Sequence, residues 1–177
     1  MRSSVVPGGT VLRSAIAFVS QNSDLFSGTV KDNLLMAAPT ATDEQIIEAA
    51  KIAGVDSFVS RHPRGYDMPV GERGNLLSGG QRAAIAIARI MLRKPSIVFL
   101  DEPSGSMDMA SEKELIDKLL KCFPTDVTLL VSTHRYSMLA LVDRLIVLEQ
   151  GRLISDGPKN QVIEGLKAGS VPARARG

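Results

Sequence analysis

The chain has 177 residues, 44% hydrophobic and 23% charged, the composition of an ordinary globular protein of about one domain. A formal net charge of +2 gives no electrostatic footprint for nucleic acid, and the single cysteine, Cys122, excludes an intramolecular disulfide, fits a reducing compartment and reads as a half-buried helix residue. No stretch reaches the roughly 20 apolar residues that span a bilayer. The richest, residues 127–148, is interrupted by His134, Arg135, Asp143 and Arg144, and Met1-Arg2-Ser3-Ser4 leads into Pro7-Gly8-Gly9 rather than the apolar core of a signal peptide. Membrane association is therefore expected only through a partner.

Residues 15–20 (AIAFVS) form the pattern of a buried strand that delivers Gln21 at its end. Residues 22–28 make a loop, and Thr29 can cap a short helix over residues 30–37, which Pro39 ends. Thr42 followed by Gln45 is a capping box, opening a helix to Ala53 with Gly54 as its stop. Ile46, Ile47, Ala50 and Ala53 are its apolar stripe. A second short helical piece covers residues 55–60. Pro63, Gly65, Pro69, Gly71 and Gly74 then break regular structure over a long loop.

Ser78 with Gln81 is a second capping box, and residues 83–93 continue as a helix that Pro95 terminates. Residues 97–100 are apolar on both faces, as in a strand buried inside a parallel sheet. A helix follows at about 111–123, then a strand at 127–132 and a helix near 136–142. Residues 144–149 and 152–155, split by Gln150-Gly151, read as a closing hairpin. Pro158 suits the first residue of a last helix, to about residue 166. The order is that of an α/β fold with a parallel sheet and a helical insertion. It divides into a residual start of the core at 1–21, a helical subdomain at 22–93, an α/β core at 94–168 and a flexible tail at 169–177. Arg174 and Arg176 in that tail suit a frayed terminus better than a binding arm.

Two places carry chemistry. Asp101 ends a buried strand and Glu102 follows it, at the sheet edge where open α/β folds bind ligands. Asp101 suits a Mg²⁺ shell and Glu102 the base that polarises an attacking water, although an acidic strand end can also simply cap the next helix. Gly79 and Gly80 stand at a helix start, where free N–H groups, missing Cβ atoms and the positive helix end favour a phosphate. The plain alternative is a glycine-rich N-cap.

In this order and spacing, Leu77-Ser78-Gly79-Gly80-Gln81, the run from Ile97 to Glu102 and His134 in Ser132-Thr133-His134-Arg135 resemble the nucleotide-binding domain of an ATP-binding-cassette (ABC) transporter. The resemblance covers about residues 11–168 and implies a P-loop NTPase-like core, incomplete here, with a helical signature subdomain. It implies ATP and Mg²⁺ as ligands. Ser78, Gly79, Gly80 and Gln81 would close over the γ-phosphate held by the partner domain in a head-to-tail dimer. Gln21 would be the glutamine that touches Mg²⁺ and the attacking water, and His134 the switch histidine that contacts the γ-phosphate and positions Glu102. Asp108 would lie along the dimer interface, where the sequence departs from the family pattern by having Gly105 in place of a common serine. Val70-Gly71-Glu72-Arg73-Gly74 resembles the loop by which ABC exporters touch their transmembrane domains, Glu72 being its acidic member. The region from Gln21 to Val30 is likewise of exporter type, and the ATPase halves of type I protein-secretion exporters look most similar. Such a domain sits on the cytoplasmic face of the plasma membrane.

No G-x-x-x-x-G-K-[ST] occurs in the chain, so the loop that cradles ATP phosphates is missing from it. The chain is accordingly expected to be the C-terminal part of a cassette, inactive alone, whether from a truncated gene, a mis-called start or a fragment. Its strands at 15–20, 97–101 and 127–132 are expected to expose apolar edge and face. A second reading is a non-catalytic module that lends its signature to an intact partner. A third, a DNA-repair or chromosome-structure ATPase, would keep a long coiled coil, and the chain has no heptad run.

Overall fold

A sheet of three parallel strands organises the computed structural model, which describes residues 15–20, 25–105, 107–123 and 126–168. Strands β1 (Ile16–Val19), β2 (Ile97–Asp101) and β3 (Thr128–Ser132) run in the order β1-β2-β3, with Ile16 opposite Ile97 and Asp101 opposite Ser132. Strand alternation sends Ala17, Val98 and Leu100 into the core. The other face carries Phe18, 60% exposed and stacked on Phe99 at 5.3 Å between ring centroids, and Leu130, 45% exposed.

The helical part follows the capping signals closely. Helix α1 (Val30–Leu35) opens on Thr29, whose hydroxyl accepts from the Asp32 N–H while the Asp32 carboxylate accepts from the Thr29 N–H. Donation to Asp32 Oδ2 from the Thr29 N–H, and from the Thr29 hydroxyl at 2.8 Å, holds the Asp32 carboxyl below its ordinary range. The helix stops at Leu35, short of the expected residue 37. Helix α2 (Asp43–Ala53) has the Thr42–Gln45 capping box and ends on Gly54 at φ 80, the left-handed turn for which glycine is suited. After α3 (Asp56–Val59), two single 3₁₀ turns, Gly65–Asp67 and Glu72–Gly74, interrupt the long loop.

Helix α4 (Gly79–Arg93) is the hub of this region. It packs against α1, α2, β1 and α5 (Met109–Cys122), and Ile85, Ala88, Leu34, Ala50 and Val55 are fully buried about it. Cys122 is buried on α5 with its thiol 3.7 Å from the Ile52 carbonyl oxygen, and burial pushes its pKa up. It is a core residue.

The chain divides into two compact units, Met1–His134 and Arg135–Gly177. In the second, the expected helix near residues 136–142 is a 3₁₀ turn, Tyr136–Leu141, with no side-chain cap at Arg135 to nucleate an α-helix. Strands β4 (Arg144–Glu149) and β5 (Arg152–Pro158) form the hairpin, turned by Gln150 and Gly151 at φ 48 and 74. Strand β5 runs three residues beyond the expected end, held by the Arg144–Asp156 fork at 2.8 and 3.0 Å. Pro158 thus closes the strand as N-cap, and α6 (Lys159–Lys167) begins one residue later than expected. The tail 169–177 lies outside the described residues.

Candidate functional site

Strand β2 ends at Asp101, and the next residue leaves the sheet in an unusual backbone state. Glu102 has φ 45, which a residue with a Cβ adopts only at some cost. Its own N–H donates to the Ser132 carbonyl at 2.9 Å, and its carbonyl accepts from the Gly105 N–H at 2.9 Å. The carboxylate is thereby turned toward the end of β3, where His134 stands. Nδ1 of His134 lies 2.7 Å from Glu102 Oε1, and the His134 backbone N–H donates to the same oxygen at 3.2 Å. A carboxylate only accepts, so the ring bond places the hydrogen on Nδ1 and leaves Nε2 open. The imidazole is 78% exposed while Glu102 is 23% exposed, so the ring reaches outward from a carboxylate fixed at the sheet edge.

Thr133 completes this edge, its hydroxyl 3.5 Å from Glu102 Oε2, at the outer limit of a hydrogen bond. Sequence reasoning passed over Thr133. Its position between Ser132 and His134 was the only available signal. Asp101 is half-buried, and its carboxylate has no hydrogen-bond or ion-pair partner among the described residues. No group of three or more His, Cys, Asp or Glu side chains that could hold a metal occurs among the described residues either. One open carboxylate suits Mg²⁺, which is held by one or two carboxylates together with water and substrate phosphates rather than by a protein cage. Gln21, the other expected Mg²⁺ contact, lies outside the described residues.

At the second place, Ser78 is the N-cap of α4. Its hydroxyl accepts from the Gln81 N–H at 3.2 Å, and Gln81 Oε1 accepts from the Ser78 N–H at 2.9 Å. Ser78 and Gln81 thus have a local role that needs no ligand. The glycines do not. Among the described residues, a Cβ on Gly79 would meet only Met107 Cγ at 3.8 Å and Arg82 Nη2 at 3.9 Å, and one on Gly80 only Ser78 Oγ at 4.0 Å. Packing among those residues would accept alanine at both. We expect Gly79→Ala to leave the melting temperature unchanged or raised, since alanine favours a helix over glycine. Gly71→Ala, where φ is 77 and a Cβ would lie 2.0 Å from Asn75 Oδ1, should cost more than about 1 kcal/mol. Parallel thermal melts of the two variants make the comparison.

Asp108 caps α5. Its Oδ1 accepts from the Ala110 and Ser111 N–H groups at 2.9 and 3.0 Å, and Oδ2 accepts from the Ser111 hydroxyl at 2.8 Å. These bonds hold its carboxyl below the usual range, the Ser111 backbone donor contributing most. The cap starts α5 at Met109, two residues ahead of the expected start, and Asp108 followed by Ser111 was a legible signal for it. Gly105 has φ 35, so the departure from serine there accompanies a left-handed backbone that glycine adopts freely. Glu72 opens its 3₁₀ turn beside an open groove of ≈ 500 Å³, lined also by Ser27, Gly28, Thr29, Arg64 and Pro69. The structure thus brings Glu102, Thr133 and His134 into contact with Asp101 next in chain. Ser78–Gln81 and Glu72 occupy separate places.

The sequence model described as ABC transporter matches residues 7–105. Two proteins of Staphylococcus aureus, strains NCTC 8325 / PS 47 and bovine RF122 / ET3-1, each bear the name "Putative multidrug export ATP-binding/permease protein". Each is 43% identical over 152 residues, 86% of this chain and 26% of the relative. The chain therefore spans about a quarter of the length of these relatives. Among solved structures, a bacterial Atm1-family ABC exporter with ATP bound matches with a TM-score of 0.79 and 34% identity, covering 95% of this chain and 30% of that one. The α/β fold with its parallel sheet and flanking helices is thus that of an ABC exporter's nucleotide-binding domain, and the chain belongs to the ABC transporter family.

Proposed function

We propose that the chain is the part of an exporter's ATPase cassette that carries the hydrolytic carboxylate, the switch histidine and the signature turn. The observation that carries this is the Glu102–His134 contact of 2.7 Å at the carboxyl end of a parallel sheet, on a backbone strained at Glu102. Glu102 would accept the proton of the attacking water, and His134, tied through Nδ1, would present Nε2 toward the terminal phosphate. Bound Mg²⁺ would neutralise phosphate charge beside Asp101, with Gln21 as its second protein contact. Ser78, Gly79, Gly80 and Gln81 would meet ATP held by the other subunit of a head-to-tail dimer, with Asp108 along the same interface. Residues 22–93 would act as the helical subdomain and 94–168, with 1–21, as the core.

The groove at Glu72 would receive transmembrane domains and so hold the chain at the cytoplasmic face of the plasma membrane. For cargo, relatives bearing a multidrug-export name support drugs, whereas the resemblance to type I secretion ATPases points to a protein or peptide. The first has the more direct support. The chain's sequence contains no phosphate-cradling loop, so the 177 residues alone are expected to hydrolyse no ATP above background. Joined to the phosphate-binding segment of a related exporter's cassette, they should gain Mg²⁺-dependent turnover. Steady-state phosphate release from both preparations tests this. Turnover by the chain alone that vanishes in Glu102→Gln would show a complete site within it. A folded chimera that binds ATP and never hydrolyses it would favour the non-catalytic module instead.

A further inference from the structure

Two arginines on α4 are not used by the reading above. Arg82 and Arg89 stand seven residues apart, two turns along one side of the helix whose N-terminus is the Ser78–Gln81 turn. Arg82 is half-buried and donates through Nη1 to the Leu77 carbonyl at 2.8 Å and the Gly74 carbonyl at 3.4 Å. The loop it grips is the left-handed one, with Gly71, Arg73 and Gly74 at φ 77, 51 and 79. The two glycines adopt this region freely, and Arg73 is the residue held there at a cost.

Arg89 grips a different segment. Its Nε donates to the Asn33 carbonyl at 2.8 Å, its Nη2 to Asn33 Oδ1, and its guanidinium lies 5.7 Å from the Phe26 ring centroid. Asn33 is fully buried, and its amide is saturated. Nδ2 donates to the carbonyls of Phe26 and Thr29 at 2.9 and 2.8 Å, while Oδ1 accepts from the Phe26 N–H at 2.9 Å. Burying an asparagine in a small helix costs desolvation that these bonds offset only if every one is kept, so the cluster specifies a geometry. The two gripped segments also meet each other. The Val30 N–H donates to Met68 and the Val70 N–H to Gly28, both at 3.0 Å, and together they wall the groove that holds Glu72.

We propose that Arg82 and Arg89 are positioning residues, two arms by which α4 holds both walls of the Gly28–Glu72 groove. A partner pressing on the groove then moves the Ser78–Gln81 turn with it as one body. This rests on the reading of groove and turn given above. Arg89 acts on the wall at Ser27, Gly28 and Thr29 through Asn33, Arg82 acts on the wall at Gly71 and Glu72 through Gly74 and Leu77, and the helix between them carries the load to its own N-terminus.

Amide hydrogen exchange on the intact chain, without nucleotide, tests the arms. Lysine keeps charge and reach but lacks the planar fork. Arg89→Lys should speed exchange about tenfold at Phe26 and, on the wall that Arg89 does not touch, at Val70 and Leu76, and should also loosen Gln81. Arg82→Lys should speed Phe26 reciprocally, and the double variant should gain less than the two single effects combined. Amides of β2 and β3 must stay unchanged, which separates local release from global loss of stability. Acceleration confined in each variant to the wall its own arginine touches overturns the proposal. If a lysine variant loosens the sheet, Asn33→Asp takes its place, because it keeps acceptors for Arg89 and deletes the donors to Phe26 and Thr29. Acceleration at Val70 then supports the coupling, and acceleration limited to residues 26–29 overturns it. Because no nucleotide enters, this outcome is independent of whether Ser78–Gln81 bind phosphate.

Discussion

Glu102→Gln is expected to lower ATP turnover by about 10²–10⁴-fold in the chain joined to a phosphate-binding segment, with ATP affinity little changed. Glutamine keeps the size of the side chain and an oxygen that can accept from Nδ1 and the backbone N–H of His134, so the geometry at the end of β3 should survive. It cannot take the proton of an attacking water. An interaction needed only in the transition state lowers turnover without lowering ground-state binding. The left-handed backbone at Glu102 strengthens the assignment, because φ 45 strains glutamate and glutamine alike and gives the fold no benefit that glycine would not. Fluorescent-nucleotide binding and single-turnover hydrolysis, measured on the same preparations, separate the two quantities. His134→Ala should also lose turnover, and removing Mg²⁺ with a chelator should silence the parent protein. Equal loss of affinity and turnover in Glu102→Gln would make Glu102 a structural carboxylate capping the turn after β2, and the proposed base would have to be sought elsewhere.

Much of this was legible because local and global signals coincide. Both capping boxes found by spacing, Thr42–Gln45 and Ser78–Gln81, form with both reciprocal bonds. Each depends only on residues three apart, which the chain order states directly. The apolar run from Ile97 to Leu100 identified the central strand, flanked by β1 and β3. Only Val98 and Leu100 face the buried side, while Ile97 and Phe99 lie on the partly exposed face with Phe18 and Leu130, so the expected burial of both faces does not hold. Elements decided by tertiary contacts were less readable. The continuation of β5 to Pro158 depends on Arg144 reaching Asp156 across the hairpin, and Asp156 lay beyond the period-2 pattern that ended the expected strand at residue 155. The turn at Tyr136–Leu141 has an apolar stretch long enough for an α-helix, but no side chain caps its start.

The site followed the same division. Asp101, Glu102 and His134 were recognisable as motif members, yet the turn that aims Glu102 at His134 is a backbone state no residue pattern announces. The Asn33–Arg89 cluster joins residues 56 positions apart, and neither residue type stands out in its own helix. It became visible only when α1 and α4 were packed together.

Gly79→Asp is expected to abolish ATP-dependent dimerisation of the completed cassette while leaving ATP binding to each monomer intact. The fold should tolerate the change, because the space around a Cβ at this position is open to within ordinary van der Waals distance and the backbone is helical. Within the monomer, an aspartate in the first turn of α4 even complements the positive helix end. Packing among the described residues therefore gives no reason for glycine at 79, and the proposed reason is what approaches the turn from outside. If that is the terminal phosphate of ATP on a second subunit, the carboxylate sets negative charge against negative charge at a few ångströms, and the water-poor interface screens it weakly. The same group occupies the space the phosphate oxygens need beside the free N–H groups of the helix start. Light scattering in a Glu102→Gln background, where bound ATP is not consumed, should show a dimer in the parent and only monomer in the Gly79→Asp variant, with Gly79→Ala falling between them. Intact dimerisation by Gly79→Asp would remove the signature turn from the interface and leave Ser78-Gly79-Gly80-Gln81 as a helix cap alone.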